Sequence, residues 1–309
     1  MVSILVAGSK GLVGSAIVKE LVKSNQTVIE ISREHVDLLD RSKVFKLLKE
    51  LRPNYIVDAA AKVGGIGAND KFPVDFLTEN LQIQNNLMDA AHEANVEKFI
   101  FLGSSCIYPR NCPQPIKEEY LLTGALEPTN SAYALAKIAG LELIKSYRKQ
   151  YGKKWITLMP TNLYGPGDNF DLNNSHVLPA LLRKFVEAKK NNLKFVELWG
   201  TGSSIREFLY VEDLAQAVIF CLDNYDSDEH INIGIGQGIS IKNLAEKIAL
   251  ITGFQGEIKW DSTKPDGMPV KVLDVSKINS LGWVATTSLD EGIKKTLDWF
   301  DKNMDTLRK

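Results

Sequence analysis

The sequence predicts an α/β chain built on a doubly wound parallel sheet, followed by a smaller α/β unit. Three observations carry the expectation. Short apolar runs rich in β-branched residues alternate with helical patterns through the first half, and strands apolar on both faces belong to a parallel sheet covered by helices on both sides. A glycine trio stands between the first of these runs and the first helical pattern. The chain has 309 residues, 44% of them hydrophobic, so it can bury a sizeable core without disulfides or metal.

In chain order, residues 4–7 read as a buried strand and residues 15–23 as a helix with Ile17, Leu21 and Val22 apolar. Residues 27–31 form the second strand. Residues 41–51 form a helix, because Val44, Leu47, Leu48 and Leu51 recur at helical spacing. Residues 55–57 are the third strand, leading into a long loop and a helix over 78–94. Residues 98–102 are the fourth strand, 132–151 a helix and 155–159 the fifth strand. Helical crossovers between parallel strands produce the double winding. After Pro166 the pattern loosens. Helices are expected over 177–190, 211–222, 241–252 and 289–303, strands over 195–198 and 231–233, and loops over 168–174 and 260–269. The predicted division is a first unit over 1–165 and a second mainly over 166–309, with the segment around 207–235 able to return to the first sheet.

Lys and Arg number 37 against 38 Asp and Glu, a net charge of −1. That balance argues against nucleic-acid or anionic-membrane partners, which favour a basic excess. A charged fraction of 24% beside ample apolar content argues against a largely disordered chain. No apolar run approaches the roughly 18 residues of a membrane span, and the N-terminus shows no signal-peptide pattern. Cys106, Cys112 and Cys221 form no CxxC pair and no disulfide framework, so no metal site is expected. The default compartment is a reducing cytoplasm.

Gly8, Ser9, Lys10, Gly11, Leu12, Val13 and Gly14 read GxxGxxG between strand and helix. Glycines there permit a tight turn and close backbone approach, and a helix N-terminus offers N–H groups to a pyrophosphate. The strand–turn–helix context makes this a dinucleotide site. The second strand ends in Ser32-Arg33, where an NAD site usually carries an acidic residue. A hydroxyl and a guanidinium suit a 2′-phosphate, with Lys10 as a second cation, so NADP is expected over NAD. Glu30 stands close by.

Tyr133 and Lys137 form YxxxK, and four-residue spacing on a helix puts them on one face. A neighbouring ammonium favours the phenolate, which makes Tyr133 a usable proton donor and acceptor. The fourth strand ends in Leu102-Gly103-Ser104, and strand ends of such sheets border the ligand crevice. Ser104 can then bind a substrate carbonyl beside Tyr133.

Together the glycine loop, the serine after strand four and YxxxK resemble the extended short-chain dehydrogenase/reductase family, which implies a Rossmann-like fold. Longer strings are more specific: GSSCIYP (103–109), LEPTNSAYALAKIAG (126–140), MPTNLYGPGDNF (159–170), NSHVLPALLRK (174–184) and WGTGSSIREFLYVEDLA (199–215). They resemble members acting on a GDP-sugar with a C4 ketone, over nearly the whole chain. The resemblance implies epimerisation at C3 and C5, then NADPH-dependent reduction at C4, by a homodimer. Cys106 and His176 match the family's proton-transfer pair, and both groups titrate near neutrality. Ser104 and Tyr133 would hold the C4 oxygen, and Lys137 the nicotinamide ribose. Pro160, Thr161, Asn162 and Leu163 would border the nicotinamide, with His176 reaching the same region. Lys184, Trp199, Arg206 and Asp266 are implied in binding the nucleotide diphosphate and sugar.

Other residues receive plainer readings. Cys112 and Cys221 read as small apolar residues, and His35, His92 and His230 as surface residues. A 4,6-dehydratase would want acidic residues where Ser105-Cys106-Ile107 stand. A 4-epimerase would hold NAD tightly, which Arg33 disfavours. A non-catalytic NADP sensor would have lost part of the Ser104–Tyr133–Lys137 set.

Overall fold

The computed structural model describes residues 2–172, 174–264 and 267–304. In chain order the first half comprises β1 (Ser3–Ala7), α1 (Leu12–Lys23), β2 (Thr27–Ile31), α2 (Arg41–Leu51), β3 (Tyr55–Asp58), α3 (Ile66–Lys71), α4 (Pro73–Glu93), β4 (Lys98–Leu102), α5 (Ser131–Tyr151) and β5 (Ile156–Pro160). The second half adds β6 (Asn162–Tyr164), α6 (Val177–Lys190), β7 (Phe195–Trp199), β8 (Ile205–Arg206), β9 (Phe208–Tyr210), α7 (Val211–Asn224) and β10 (Ile231–Ile233). It closes with β11 (Ile239–Ser240), α8 (Ile241–Thr252), β12 (Glu257–Asp261), β13 (Val270–Lys271), α9 (Ser276–Ser280) and α10 (Leu289–Asn303).

The main sheet has six parallel strands in the order β10-β5-β4-β3-β1-β2. Alternate residues of its strands feed two apolar layers. Ile4, Val6, Val57, Ile100 and Leu102 face the layer shared with α1 and α7. Leu5, Ala7, Ile56, Phe99 and Phe101 face the layer shared with α2, α4 and α5. The chain order reverses between β1 and β3, and such a switch point opens a crevice above the strand ends. A third apolar cluster joins α6, α8 and α10 to β7, β9 and the inner face of Tyr164.

Two elements of the second half belong to the first sheet. β10 pairs with β5, and α7 packs on α1. Lys98 ties this return in place: its buried ammonium donates to the carbonyls of Leu222 (2.5 Å), Tyr225 (2.9 Å) and Cys221 (3.2 Å) at the end of α7. A cation there also meets the negative end of the helix dipole.

The structure departs from the sequence reading in four places. The first helix starts at Leu12 rather than 15, with Gly11 extended as its N-cap. The expected long loop after β3 contains α3, and α4 starts at Pro73 rather than 78; proline is tolerated in the first helical turn because its missing N–H has no partner there. Trp260 and Asp261, read as loop, pair with Leu198 and Trp199. His230, read as a surface residue, is buried, with Nε2 3.0 Å from the Tyr108 hydroxyl, which donates to Asn232. Burial pushes its imidazole down to about 4. Among the described residues no helix is long and apolar enough to cross a membrane.

Candidate active site

The glycine loop is closed by its own backbone. Gly8 has φ +78°, and a Cβ there would lie 2.8 Å from the Ala59 carbonyl oxygen. A Cβ on Gly14 would lie 2.1 Å from the Gly8 carbonyl oxygen. Only hydrogen fits at either position. The Ser9 N–H donates to the Ile31 carbonyl, which fixes the loop to the end of β2. The Ser9 hydroxyl is buried without a hydrogen-bond partner. Leu12 and Val13 then open α1, whose N-terminus faces the crevice. This cradle fits a dinucleotide diphosphate. Beside it Ser32 is buried and Arg33 exposed, while Lys10 forms an ion pair with Glu34.

β4 carries the chain through Leu102 and Gly103 into Ser104, which caps a single 3₁₀ turn, Ser105–Ile107. The Ser104 Oγ accepts the Cys106 N–H at 3.4 Å. It also lies where it stabilises the ionised forms of the Tyr133 hydroxyl and the Cys106 thiol. Tyr133 and Lys137 share a face of α5, with Lys137 Nζ 5.9 Å from the Tyr133 ring centre. The Lys137 ammonium donates to the Leu102 carbonyl at 2.9 Å. Bound there, it does not lower the Tyr133 pKa as the spacing predicts. Burial dominates instead, with Cys106 and Asp58 also raising the phenol and Ser104 opposing them. Tyr133 therefore rests as a neutral proton donor.

Across the cleft, His176 caps α6 and remains open to solvent. Surrounding protein lowers its pKa, and Lys271 lowers it further, so the imidazole is neutral near pH 7. Burial raises the Cys106 thiol, and Lys271 is the largest opposing influence, ahead of Ser104 and Lys137. Lys271 stands on β13, in register with Arg206 of β8. Next to Arg206, the buried Glu207 carboxylate accepts the N–H groups of Ile235 (2.6 Å), Gly236 (2.8 Å) and Leu273 (2.8 Å). Its carbonyl accepts the Asn162 amide at 2.8 Å, and the Thr161 N–H donates to Ile233 at 3.0 Å. Glu207 thus links the start of β9, the turn after β10, the segment following β13 and the Pro160-Thr161-Asn162-Leu163 corner.

The structure brings Ser104, Cys106, Tyr133 and Lys137 together at the ends of β4 and α5, with His176 electrostatically coupled to the same site through Lys271. The residues implied in diphosphate and sugar binding are held more loosely. Lys184 Nζ donates to the Glu197 carbonyl at 3.1 Å, and Arg206 to the Ile205 carbonyl at 2.8 Å. Trp199 is 67% exposed, with Lys264 Nζ 5.7 Å from its ring centre. Asp266 lies outside the described residues. Three residues near the site escaped the sequence reading: Asp58, Glu207 and Lys271. Asp58 had a signal, a carboxylate ending an apolar strand at the crevice. Glu207 and Lys271 had none: Lys271 ends a two-residue strand and Glu207 lies between β8 and β9, elements too short to show periodicity.

The chain belongs to the NAD dependent epimerase/dehydratase family, whose model matches residues 4–234. Within it, the chain is 52% identical to GDP-L-fucose synthase 1 of Arabidopsis thaliana, over 97% of this chain and 94% of that protein. Among solved structures, a GDP-L-fucose synthetase from Naegleria fowleri bound to NADP superposes with a TM-score of 0.92 at 31% identity, covering 100% of this chain and 96% of that one. A GDP-6-OMe-4-keto-L-xylo-heptose reductase from C. jejuni also gives a TM-score of 0.92, at 37% identity and 98% coverage of both chains.

Proposed function

We propose that this protein converts GDP-4-keto-6-deoxy-D-mannose to GDP-L-fucose, epimerising C3 and C5 and then reducing C4 with NADPH. The observation that carries the reading is the gathering of Cys106 with Ser104, Tyr133 and Lys137 at one strand end, beside a dinucleotide cradle. The 52% identity to the Arabidopsis synthase supports the substrate, and the NADP bound by the Naegleria protein supports the cofactor. When bound, NADPH supplies the hydride. Gly8, Ser9, Lys10, Gly11, Leu12, Val13 and Gly14 would hold its diphosphate, Arg33 its 2′-phosphate and Lys137 its nicotinamide ribose. Leu102, Gly103, Pro160, Thr161, Asn162, Leu163 and His176 would border the nicotinamide half.

The Ser104 and Tyr133 hydroxyls grip the C4 oxygen of the sugar. Hydrogens at C3 and C5 are acidic because they flank that ketone, and the same grip stabilises the enolate formed when either is removed. Cys106 and His176 remove and return those protons. At rest the thiol carries a proton and the imidazole an open lone pair, and Lys271 draws both groups toward proton release. Tyr133, neutral at rest, gives its proton to the C4 alkoxide during reduction. Lys184, Trp199, Arg206 and Asp266 hold the GDP end. Residues 1–165 would form the cofactor unit and 166–309 mainly the substrate unit, in a cytoplasmic homodimer paired through α5.

The test is incubation with GDP-4-keto-6-deoxy-D-mannose and NADPH in D₂O, following cofactor absorbance and product stereochemistry. NADPH oxidation with GDP-L-fucose carrying deuterium at C3 and C5 is expected. Oxidation that leaves both centres unchanged would make the protein a C4 reductase only, as the name of the C. jejuni neighbour describes, and would remove the roles given to Cys106 and His176.

A further inference from the structure

Asp58 has no place in the chemistry above, yet the fold puts it under the catalytic lysine. It ends β3 in register with Ala7 of β1 and Phe101 of β4. Residues in register across a parallel sheet point to the same face, so Asp58 shares the face of Phe101. Lys137 Nζ lies 4.7 Å from the Phe101 ring centre on that face. Asp58 is 1% exposed. Its Oδ1 accepts the Ala60 N–H at 3.1 Å, while Oδ2 is buried with no hydrogen-bond partner. An unpaired carboxylate oxygen in an apolar layer is costly unless a charge compensates it. Lys137 supplies that charge: the two groups are each other's principal electrostatic partner.

We propose that Asp58 is a positioning residue for the reductase chemistry: a buried counter-charge that keeps Lys137 an ammonium, bound to the Leu102 carbonyl and aimed along the Tyr133 face of α5. The proposal rests on the roles given above to Tyr133 and Lys137. Its physical basis is a balance of opposed influences. Burial draws the Lys137 ammonium down toward the neutral amine; Asp58 is the larger influence holding it up, with Cys106 second. Burial raises the Asp58 carboxyl to about 6, with Lys137 and the Ala60 N–H opposing. The other ionisable groups facing this pair are Tyr133 and Cys106. Above pH 6 Asp58 is therefore ionised and opposes loss of the Lys137 proton. Without the carboxylate, the lysine loses its proton at lower pH, and the neutral amine holds the ribose hydroxyls, and with them the nicotinamide, less firmly.

The experiment compares pH–rate profiles for NADPH oxidation by wild type and Asp58→Asn with GDP-4-keto-6-deoxy-D-mannose. In the variant the alkaline limb should move down by about one pH unit or more, with turnover at pH 8.5 falling roughly tenfold, since one unit of pKa is a factor of ten in the charged fraction. Deuterium entry at C3 and C5, which Cys106 and His176 perform, should fall less. Superimposable profiles would overturn the proposal while leaving the functional reading intact. Absence of turnover in the wild type would instead overturn the reading. Should Asp58→Asn fail to fold, the wild type alone decides: the ¹³Cε resonance of Lys137, assigned with Lys137→Arg, should report an ammonium up to pH 9. A neutral amine at pH 8 would refute the role of Asp58.

Discussion

Tyr133 and Arg206 are assigned to the same cleft, but the protein holds them by different means. Tyr133 stands on a 21-residue helix, α5, packed along α4 and against the main sheet. Its partners Ser104, Cys106 and Lys137 are fixed by a strand end, a capped turn and a carbonyl hydrogen bond. Arg206 stands on a two-residue strand. It is placed by its neighbour Glu207, whose carboxylate gathers three N–H groups from two other segments. Proton transfer demands placement within a fraction of an ångström, and long packed elements supply it. Gripping a diphosphate tolerates more freedom, because charges act over distance. Substitutions on the sheet side should therefore reduce turnover, and those on the opposite wall should weaken binding.

The sharpest way to break that contrast is Tyr133→Phe. It removes both the oxygen grip and the proton donor, so NADPH oxidation should fall by roughly a thousandfold or more while NADPH binding persists. Fluorescence titration of NADPH beside the rate measurement checks this, and near-normal turnover would remove Tyr133 from the mechanism. Cys106→Ala should come next. Deuterium entry at C3 and C5 should drop by about a hundredfold, within the usual range for loss of one acid–base group, while the fold persists. Exchange at the wild-type rate would exclude the thiol.

The sheet side was legible in the sequence where a strand meets a turn or a helical spacing shows, and Cys106 only through the resemblance of GSSCIYP. The glycine loop follows an apolar run, and Ser104 follows KFIFL. Tyr133 and Lys137 carry a helical spacing that a linear reading detects. What spacing could not convey was the direction of the Lys137 ammonium. It points to the Leu102 carbonyl and toward Asp58, and burial, not the lysine, sets the Tyr133 proton. His230 was misread because DEH precedes a short strand and looks like a polar turn, whereas Tyr108, over a hundred residues away in sequence, supplies its buried partner. Lys271 lies two residues beyond the stretch read as loop, 260–269, and received no reading. Its pairing with Arg206 depends on β8, an element too short to announce itself.

Trp199 tests the opposite wall. Its ring is mostly exposed, with Lys264 over its face. Trp199→Ala should raise KM for the GDP-sugar about three- to tenfold, the scale of one lost aromatic contact, with kcat unchanged. A drop in kcat at constant KM would show that this wall shares in catalysis and would erase the contrast with Tyr133. Arg33→Ala should weaken NADPH by about tenfold, the worth of one charge-assisted hydrogen bond. NADH, lacking the 2′-phosphate, should be almost unaffected.

The smallest effect expected comes from Glu34. Its carboxylate is ion-paired with Lys10, the second cation assigned to the 2′-phosphate. Both side chains are well exposed, so solvent screens the pair. Even so, a carboxylate beside an incoming phosphate repels it and competes for the lysine. Glu34→Gln should therefore tighten NADPH by a factor of about two to five, the range of an exposed ion pair, and leave NADH unchanged. The gain should shrink as salt is raised, because the interaction is between exposed charges. Equal changes for both cofactors would mean that Glu34 acts on the loop rather than on the phosphate. Weaker NADPH binding would mean that the carboxylate positions Lys10, and the cofactor pocket would then resemble the sheet side, where a carbonyl fixes the Lys137 ammonium, more closely than the open wall.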